Sequence, residues 1–375
     1  MTRTSLSRAF VPGIAVLTVL ALSACGASNE DGGSDSSGSG DSSNSGPESA
    51  GLTGVLKGAG ATSQEKAQAA WTVGIQGAND GLEVQYQPVG STDGRASFVE
   101  GAAAFAGTDS ALNDDDGQLT AAKETCGGTE PIQVPAYVSP IAIAFNLPDI
   151  DSVQASADTV AKIFDGKITK WSDIPDEQAD GVTLPDTDIT PIHRSDDSGT
   201  TKNFTDYLGK AAPKAWPYEA EDAFPVDGEA ADGTSGVIQQ INTIEGAIGY
   251  ADNSQAEGLG KISVQVGEGF VAPSPEGAAK VLEASPPAEG VSDVDMAVAL
   301  DRTTTEDGAY PVVLLSYLVA CQSYDDEQTE KNVKGYLEYI VSDAGQEQSA
   351  KEAGSAPLGE ETASKAQEIV AKIGA

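Results

Sequence analysis

The chain has 375 residues, 58 of them acidic and 21 basic, with one histidine and a formal net charge of −37 at pH 7. That balance excludes nucleic acid as a partner, since a phosphate backbone is held by clustered Lys and Arg. A single histidine argues against the His and Asp clusters of a metal-dependent phosphatase, but a small anion stays open, because a buried anion site works through local hydrogen-bond donors while net charge mainly sets solubility and steering.

The first segment reads as an address. Arg3 and Arg8 accompany a short, mostly apolar stretch over residues 9 to 22, which ends in Leu22-Ser23-Ala24-Cys25. A spanning helix needs about 20 apolar residues, so residues 1–24 read as a signal peptide. Leu22 to Cys25 resemble the lipobox of bacterial lipoproteins, which implies that Cys25 is lipidated and becomes the first residue of the mature chain. From 26 to 51 the sequence is Gly, Ser, Asp and Asn with almost no apolar side chain. Such a segment cannot bury enough surface to offset its ordering entropy, so residues 25–51 are expected to be a lipid-anchored flexible tether. No later stretch is apolar and long enough to span a bilayer. The expected location is extracytoplasmic, on the cell membrane through the lipid.

The remainder, about 325 residues, is long enough for two domains. Helical periodicity over 64–76 puts Ala67, Ala70, Trp71, Gly74 and Ile75 on one face, and 82–88 reads as a strand. Strand-like runs follow at 141–147, 189–192, 247–250 and 312–320, and Val333, Tyr336, Leu337 and Ile340 form a helical stripe near the C-terminus. This alternation predicts an α/β fold, without internal repeats. Two stretches have the character of crossings between lobes: the Pro-bounded run 134–147, and 305–312, which follows the acidic, Pro-rich segment 273–293. Lobe 1 is therefore expected from 52–138 and 306–375, and lobe 2 from 139–305. With Cys25 assigned to lipid, Cys126 and Cys321 remain as an even pair in an oxidising compartment. A bridge between them, within lobe 1, would be worth about 5 kcal/mol in the chain-entropy model; two separate buried thiols are the alternative.

Four short stretches combine Gly with Ser, Thr or Asp ahead of expected helices. They are Gly58-Ala59-Gly60-Ala61-Thr62-Ser63, Gly90-Ser91-Thr92-Asp93-Gly94, Ala106-Gly107-Thr108-Asp109-Ser110, and the run 193–201, HRSDDSGTT. Free N–H groups at a helix N-terminus, approached closely past small residues, make an anion site. Each stretch alone could equally be an ordinary N-cap.

In order and spacing the four segments resemble those of the phosphate-binding protein of the bacterial Pst-type ABC transporter. GAGATS, VGSTDG, FAGTDSAL and HRSDDSGTT stand where that family has GAGAT/S, a Gly-Ser-Gly-rich turn, an FGASD-type segment and RxDxSGT. IFDGKITKW at 163–171 resembles the family's IFxGKITxW block, and GAIGY at 246–250 its GxIGY block, so the likeness runs from about Leu56 to about Leu358. The resemblance implies a two-lobed periplasmic-binding-protein fold of type II with the ligand cleft between the lobes. It also implies a monomeric carrier of inorganic phosphate that serves the membrane permease subunits of an ABC importer, with no catalytic residue, metal or cofactor. Carried over position by position, the phosphate ligands are Thr62, Ser63, Ser91 and Asp109 from lobe 1, and Arg194, Ser198, Gly199 and Thr200 from lobe 2.

The chemistry of these side chains fits that role. A guanidinium offers a planar fork to a tetrahedral oxyanion, and hydroxyls and first-turn N–H groups supply further donors. Asp109 is the selective element. A carboxylate beside an anion is repulsive unless the anion carries a proton, which phosphate does at neutral pH and sulfate does not. Asp196 is expected to orient Arg194; a solvent-exposed loop acid is the alternative. One departure stands out: the family's aromatic residue after GAGAT/S is replaced by Ser63, followed by Gln64.

An enzyme is the main rival class. His193 is the only histidine and neither flank reads as a nucleophile elbow. NDDDG at 113–117 fails the EF-hand pattern, which would put Leu112 first and Lys123 last, and Gly166-Lys167 lacks the upstream glycine of a P-loop. A carrier of sulfate or molybdate on the same fold and a structural surface lipoprotein are the other rivals; Asp109 and the four matched segments count against them.

Overall fold

The computed structural model describes residues 51–114, 117–175 and 181–375. The signal peptide, the tether up to Ala50 and Cys25 lie outside the described residues.

The strands are β1 (Gly54–Gly60), β2 (Leu82–Pro88), β3 (Phe105–Thr108), β4 (Ile132–Phe145), β5 (Ser152–Ala155), β6 (Thr190–Arg194), β7 (Glu229–Ala231), β8 (Ala247–Asp252), β9 (Gly260–Val266), β10 (Gly269–Val271) and β11 (Val313–Ala320). The helices are α1 (Glu65–Ala78), α2 (Ser91–Val99), α3 (Gln118–Thr125), α4 (Ala157–Phe164), α5 (Gly199–Ala211), α6 (Gly233–Thr243), α7 (Pro275–Ala284), α8 (Glu327–Ile340), α9 (Asp343–Ala353) and α10 (Glu360–Val370).

The strands follow the path β2-β1-β3-β11-β4-β8-β6-β7, with β9 joining β4, β5 and β10 at the side. All fourteen residues of β4 are buried, as their near-continuous apolar sequence requires of a strand covered on both faces. Its first part, through Pro140, pairs antiparallel with β11, and its second, from Ile141, pairs antiparallel with β8. A single strand thus passes from one half of the molecule into the other, within the stretch expected to be a crossing. On one side β1 runs parallel to β2 and β3; on the other β6 runs parallel to β7 and β8. The register of β11 against β4 shifts between Ser316 and Tyr317, which leaves Ala136 unpaired as a bulge.

The second crossing differs from expectation. The segment after β10 contains α7, whose Ala278, Val281 and Leu282 pack in one cluster with Val138, Val313, Leu315 and Ala356. The chain therefore returns to the β11 side soon after Val271, not at 305–312. Prolines and acids made the segment look like a connector. Instead Pro275 occupies the first turn, where a missing N–H costs nothing, and Ser274 caps it by accepting from Gly277 N.

Cys126, at the end of α3, is bonded to Cys321, just past β11, with Cα atoms 5.2 Å apart. The pair sits in a small apolar cluster with Phe98, Leu112 and Val319.

Candidate functional site

The four Gly-rich segments converge where the two halves of the sheet meet, although the third does so differently from expectation. Ser63 lies in the single helical turn Thr62–Gln64 that joins β1 to α1, and Ser91 is the first residue of α2. Asp109 follows β3 directly, and no helix begins until Gln118. Its carboxylate is positioned by a strand end, not by a cap. From the other half, Arg194 ends β6, Ser198 caps α5 by accepting from Thr201 N, and Gly199 and Thr200 form the first turn of α5.

Gly199 shows how closely the halves meet. A Cβ there would lie 2.6 Å from Ser91 Oγ and 2.8 Å from the Asp109 Cβ, so any side chain would wedge the cleft open. The N–H of Ser198 is already used, donating to the Asp222 carbonyl at 2.9 Å. That narrows the expected set of free amides at this terminus to Gly199 and Thr200.

Asp109 is the centre of the arrangement and is buried. Its Oδ1 accepts from Ser63 Oγ at 2.8 Å and Ser316 Oγ at 2.6 Å. Its Oδ2 accepts from Ser63 Oγ at 3.0 Å and Thr200 Oγ1 at 2.9 Å. Its own N–H donates to Ser91 Oγ at 3.1 Å, and its carbonyl accepts from Asn203 Nδ2 at 2.7 Å. Burial pushes the carboxyl above the usual range, against the hydroxyls of Ser316, Ser63 and Thr200 and the charge of Arg194, which pull the other way. Ser63 thus places a hydroxyl on the carboxylate.

Arg194 is buried and held by a two-pronged contact. Its Nε donates to Asp196 Oδ1 at 2.7 Å and its Nη2 to Asp196 Oδ2 at 2.5 Å, while Asp196 Oδ1 also accepts from Gly233 N at 3.0 Å. Burial would raise the Asp196 carboxyl, but the Arg194 bonds and charge and the Gly233 amide outweigh it and hold it low. Two of the three guanidinium nitrogens are engaged; Nη1 has no partner among the described residues. The Arg194 N–H donates to the Tyr250 hydroxyl at 3.2 Å, which is itself bonded to Thr201 Oγ1 at 2.7 Å.

Thr62 meets the second half at another helix start. Its Oγ1 lies 2.9 Å from Thr234 Oγ1 and accepts from Thr234 N at 3.3 Å, at the beginning of α6. A further tie between the halves is Arg95, whose Nη2 lies 2.5 Å from Asp222 Oδ2, an atom that also accepts from Thr92 Oγ1.

Sequence reasoning missed Ser316, Thr234 and Asn203. The signal for Ser316 was present, as the one small polar residue in the otherwise aliphatic and aromatic run VVLLSYLVA. Thr234 stands in a Gly-Thr-Ser-Gly run that also resembles a helix start. His193 has its Nδ1 2.8 Å from the Arg194 carbonyl oxygen, and its ring stacks on Phe224. Among the described residues no group of three His, Cys, Asp or Glu side chains could hold a metal ion.

A family model described as a PBP superfamily domain matches residues 39–344. The phosphate-binding protein PstS2 of Mycobacterium bovis is 33% identical over 310 residues, covering 81% of this chain and 83% of that protein. The phosphate-binding protein PstS of Haemophilus influenzae is 30% identical over 297 residues, 76% of this chain and 84% of its own. Among solved structures, a high-affinity periplasmic phosphate-binding protein with phosphate bound matches at a TM-score of 0.66 and 20% identity, over 84% of this chain and 93% of that one. That last likeness is one of fold.

Proposed function

This chain belongs to the family of PstS-type phosphate-binding proteins, and from that premise we propose that it captures inorganic phosphate between its lobes and hands it to the permease subunits of a phosphate ABC importer. Its fold is the α/β periplasmic-binding-protein fold of type II, and it acts as a carrier, not an enzyme. The observation that carries the reading is the meeting of Asp109 with the first turn of α5 and the Arg194 fork in one buried place.

In this reading Thr62, Ser63 and Ser91 bind the anion from the first lobe, and Arg194, Ser198, Gly199 and Thr200 from the second. The unpaired Nη1 of Arg194 and the amides of Gly199 and Thr200 donate to phosphate oxygens, with the helix dipole of α5 favouring the negative charge. Asp109 accepts the proton of the phosphate, so an anion with no proton meets a repulsive, buried carboxylate. The ligand draws the two lobes together, and the protein works as a monomer. Cys25 carries the lipid, residues 25–51 form the tether, and the body stands outside the cytoplasm within reach of the permease.

Calorimetry on the purified protein tests this. One phosphate per chain should bind, with no competition from excess sulfate; equal binding of the two anions would overturn the assignment of phosphate.

A further inference from the structure

We propose that Ser316 and Gln64 are positioning residues that hold the Asp109 carboxylate as an obligate acceptor, through a one-way chain of buried hydrogen bonds starting at Tyr336. The inference rests on the reading of the cleft as a phosphate site. The Tyr336 hydroxyl donates to Gln68 Oε1 at 2.8 Å, Gln68 Nε2 donates to Gln64 Oε1 at 2.8 Å, and Gln64 Nε2 donates to Ser316 Oγ at 2.5 Å. Ser316 Oγ then donates to Asp109 Oδ1 at 2.6 Å. All five side chains are buried.

The direction of the chain follows from donor and acceptor chemistry. A carboxamide has one donor end and one acceptor end. Gln64 Nε2 also donates to the Tyr317 carbonyl at 3.1 Å, an atom that can only accept, and this fixes which way the amide faces. Burial raises the phenol of Tyr336, so it keeps its proton and enters as a donor. With Gln64 donating into its oxygen, Ser316 gives its single hydroxyl hydrogen to Asp109. Oδ1 therefore faces a fixed donor in Ser316, beside the Ser63 hydroxyl, and a proton placed on Oδ1 would oppose that donor. That arrangement favours the carboxylate form of Asp109, so that in the proposed site the proton shared with a bound anion comes from the anion.

Nothing in packing alone calls for these groups. Ser316 interrupts an otherwise apolar buried strand, and a hydroxyl there is costly unless bonded; aliphatic side chains at Gln64, Gln68 and Ser316 would fill a core equally well. The bulge at Ala136 lies opposite Ser316 and Tyr317, the kind of local irregularity that re-aims a side chain beside a site. The titratable groups facing Asp109 within the site are Arg194 from β6 and the Tyr86 phenol from β2, which burial keeps protonated. Asp114, Lys202, Asp206 and Arg302 line the cavity that opens beside it.

The test compares the wild-type protein with Ser316→Ala, Gln64→Leu and Ser316→Thr. Two quantities are read between pH 4.5 and 8: phosphate binding with sulfate competition by calorimetry, and the Asp109 carboxyl titration by NMR in the ligand-free protein. Losing a bond to a charged acceptor should raise the Asp109 titration by about one pH unit. The acid limb of phosphate binding should move up by the same amount, sulfate should compete better below it, and Ser316→Thr should restore the wild-type profile. The proposal is overturned if folded Ser316→Ala or Gln64→Leu keeps both the wild-type titration and the wild-type limb. A wild-type protein that binds no phosphate overturns the functional reading first, which the ligand-free titration distinguishes from failure of the relay.

Discussion

The two faces of the cleft bring different chemistry to the same point. The face made by β1, β3, α2 and β11 surrounds Asp109 with the neutral hydroxyls of Ser63, Ser91 and Ser316. The face made by β6 and α5 supplies Arg194, locked by Asp196, and a helix start whose Gly199 seats directly against Ser91 and Asp109. The first face supplies an acceptor and the second supplies charge. On the proposed reading strength and discrimination are separated: a guanidinium and a helix dipole attract any oxyanion, whereas a fixed carboxylate tolerates only one that brings a proton.

The largest expected effect comes from removing the charged face. Arg194→Ala loses a buried charged donor and leaves Asp196 without its partner, so phosphate affinity should fall by about 3 kcal/mol, with sulfate still rejected. Asp109→Asn should cost phosphate less, about 1–2 kcal/mol, because only the acceptor is lost. Sulfate should now compete, since a carboxamide can turn its Nδ2 toward an unprotonated oxygen. Competition calorimetry reads both. The division of labour fails if Arg194→Ala alters the phosphate-to-sulfate ratio and Asp109→Asn does not.

Much of this was legible before the fold was known, and the exceptions have physical causes. Local pattern located Gln64, Ser91 and Gly199 near helix starts, because capping residues and small residues leave a direct mark on sequence. It also located the long apolar run of β4 as a crossing. The same logic placed Asp109 before a helix, yet that residue sits at a strand end, where the same Gly-Thr-Asp string serves a different backbone. The helix α7 was hidden because its apolar face is short, three residues in ten, in a stretch dominated by prolines and acids. Ser316 and Asn203 could not be assigned, since each acquires its role from partners far along the chain, such as the 207-residue separation between Ser316 and Asp109.

The smallest effect concerns a second buried carboxylate, and it sharpens the comparison. Asp252, at the end of β8, accepts from the Tyr137 hydroxyl at 3.0 Å and from Ser254 N at 3.0 Å. It resembles Asp109 in its neutral donors, and neither makes an ion pair among the described residues, but Asp109 has the charge of Arg194 nearby to pull its carboxyl down and Asp252 has no such basic neighbour acting on it. Burial pushes it up to about 6, against the bonds from Ser254, Ser139 and Tyr137. A carboxyl whose folded value is raised adds stability that is complete below the unfolded value, near pH 4, and lost as pH rises through about 6. Asp252→Asn removes that dependence, so its stability relative to wild type should improve between pH 4 and pH 7, by at most about 3 kcal/mol. Denaturant unfolding at the two pH values measures this. An unchanged difference between variant and wild type would mean that neutral donors alone keep a buried carboxylate ionised in this protein, and the charge of Arg194 would then be unnecessary for holding Asp109 as an acceptor.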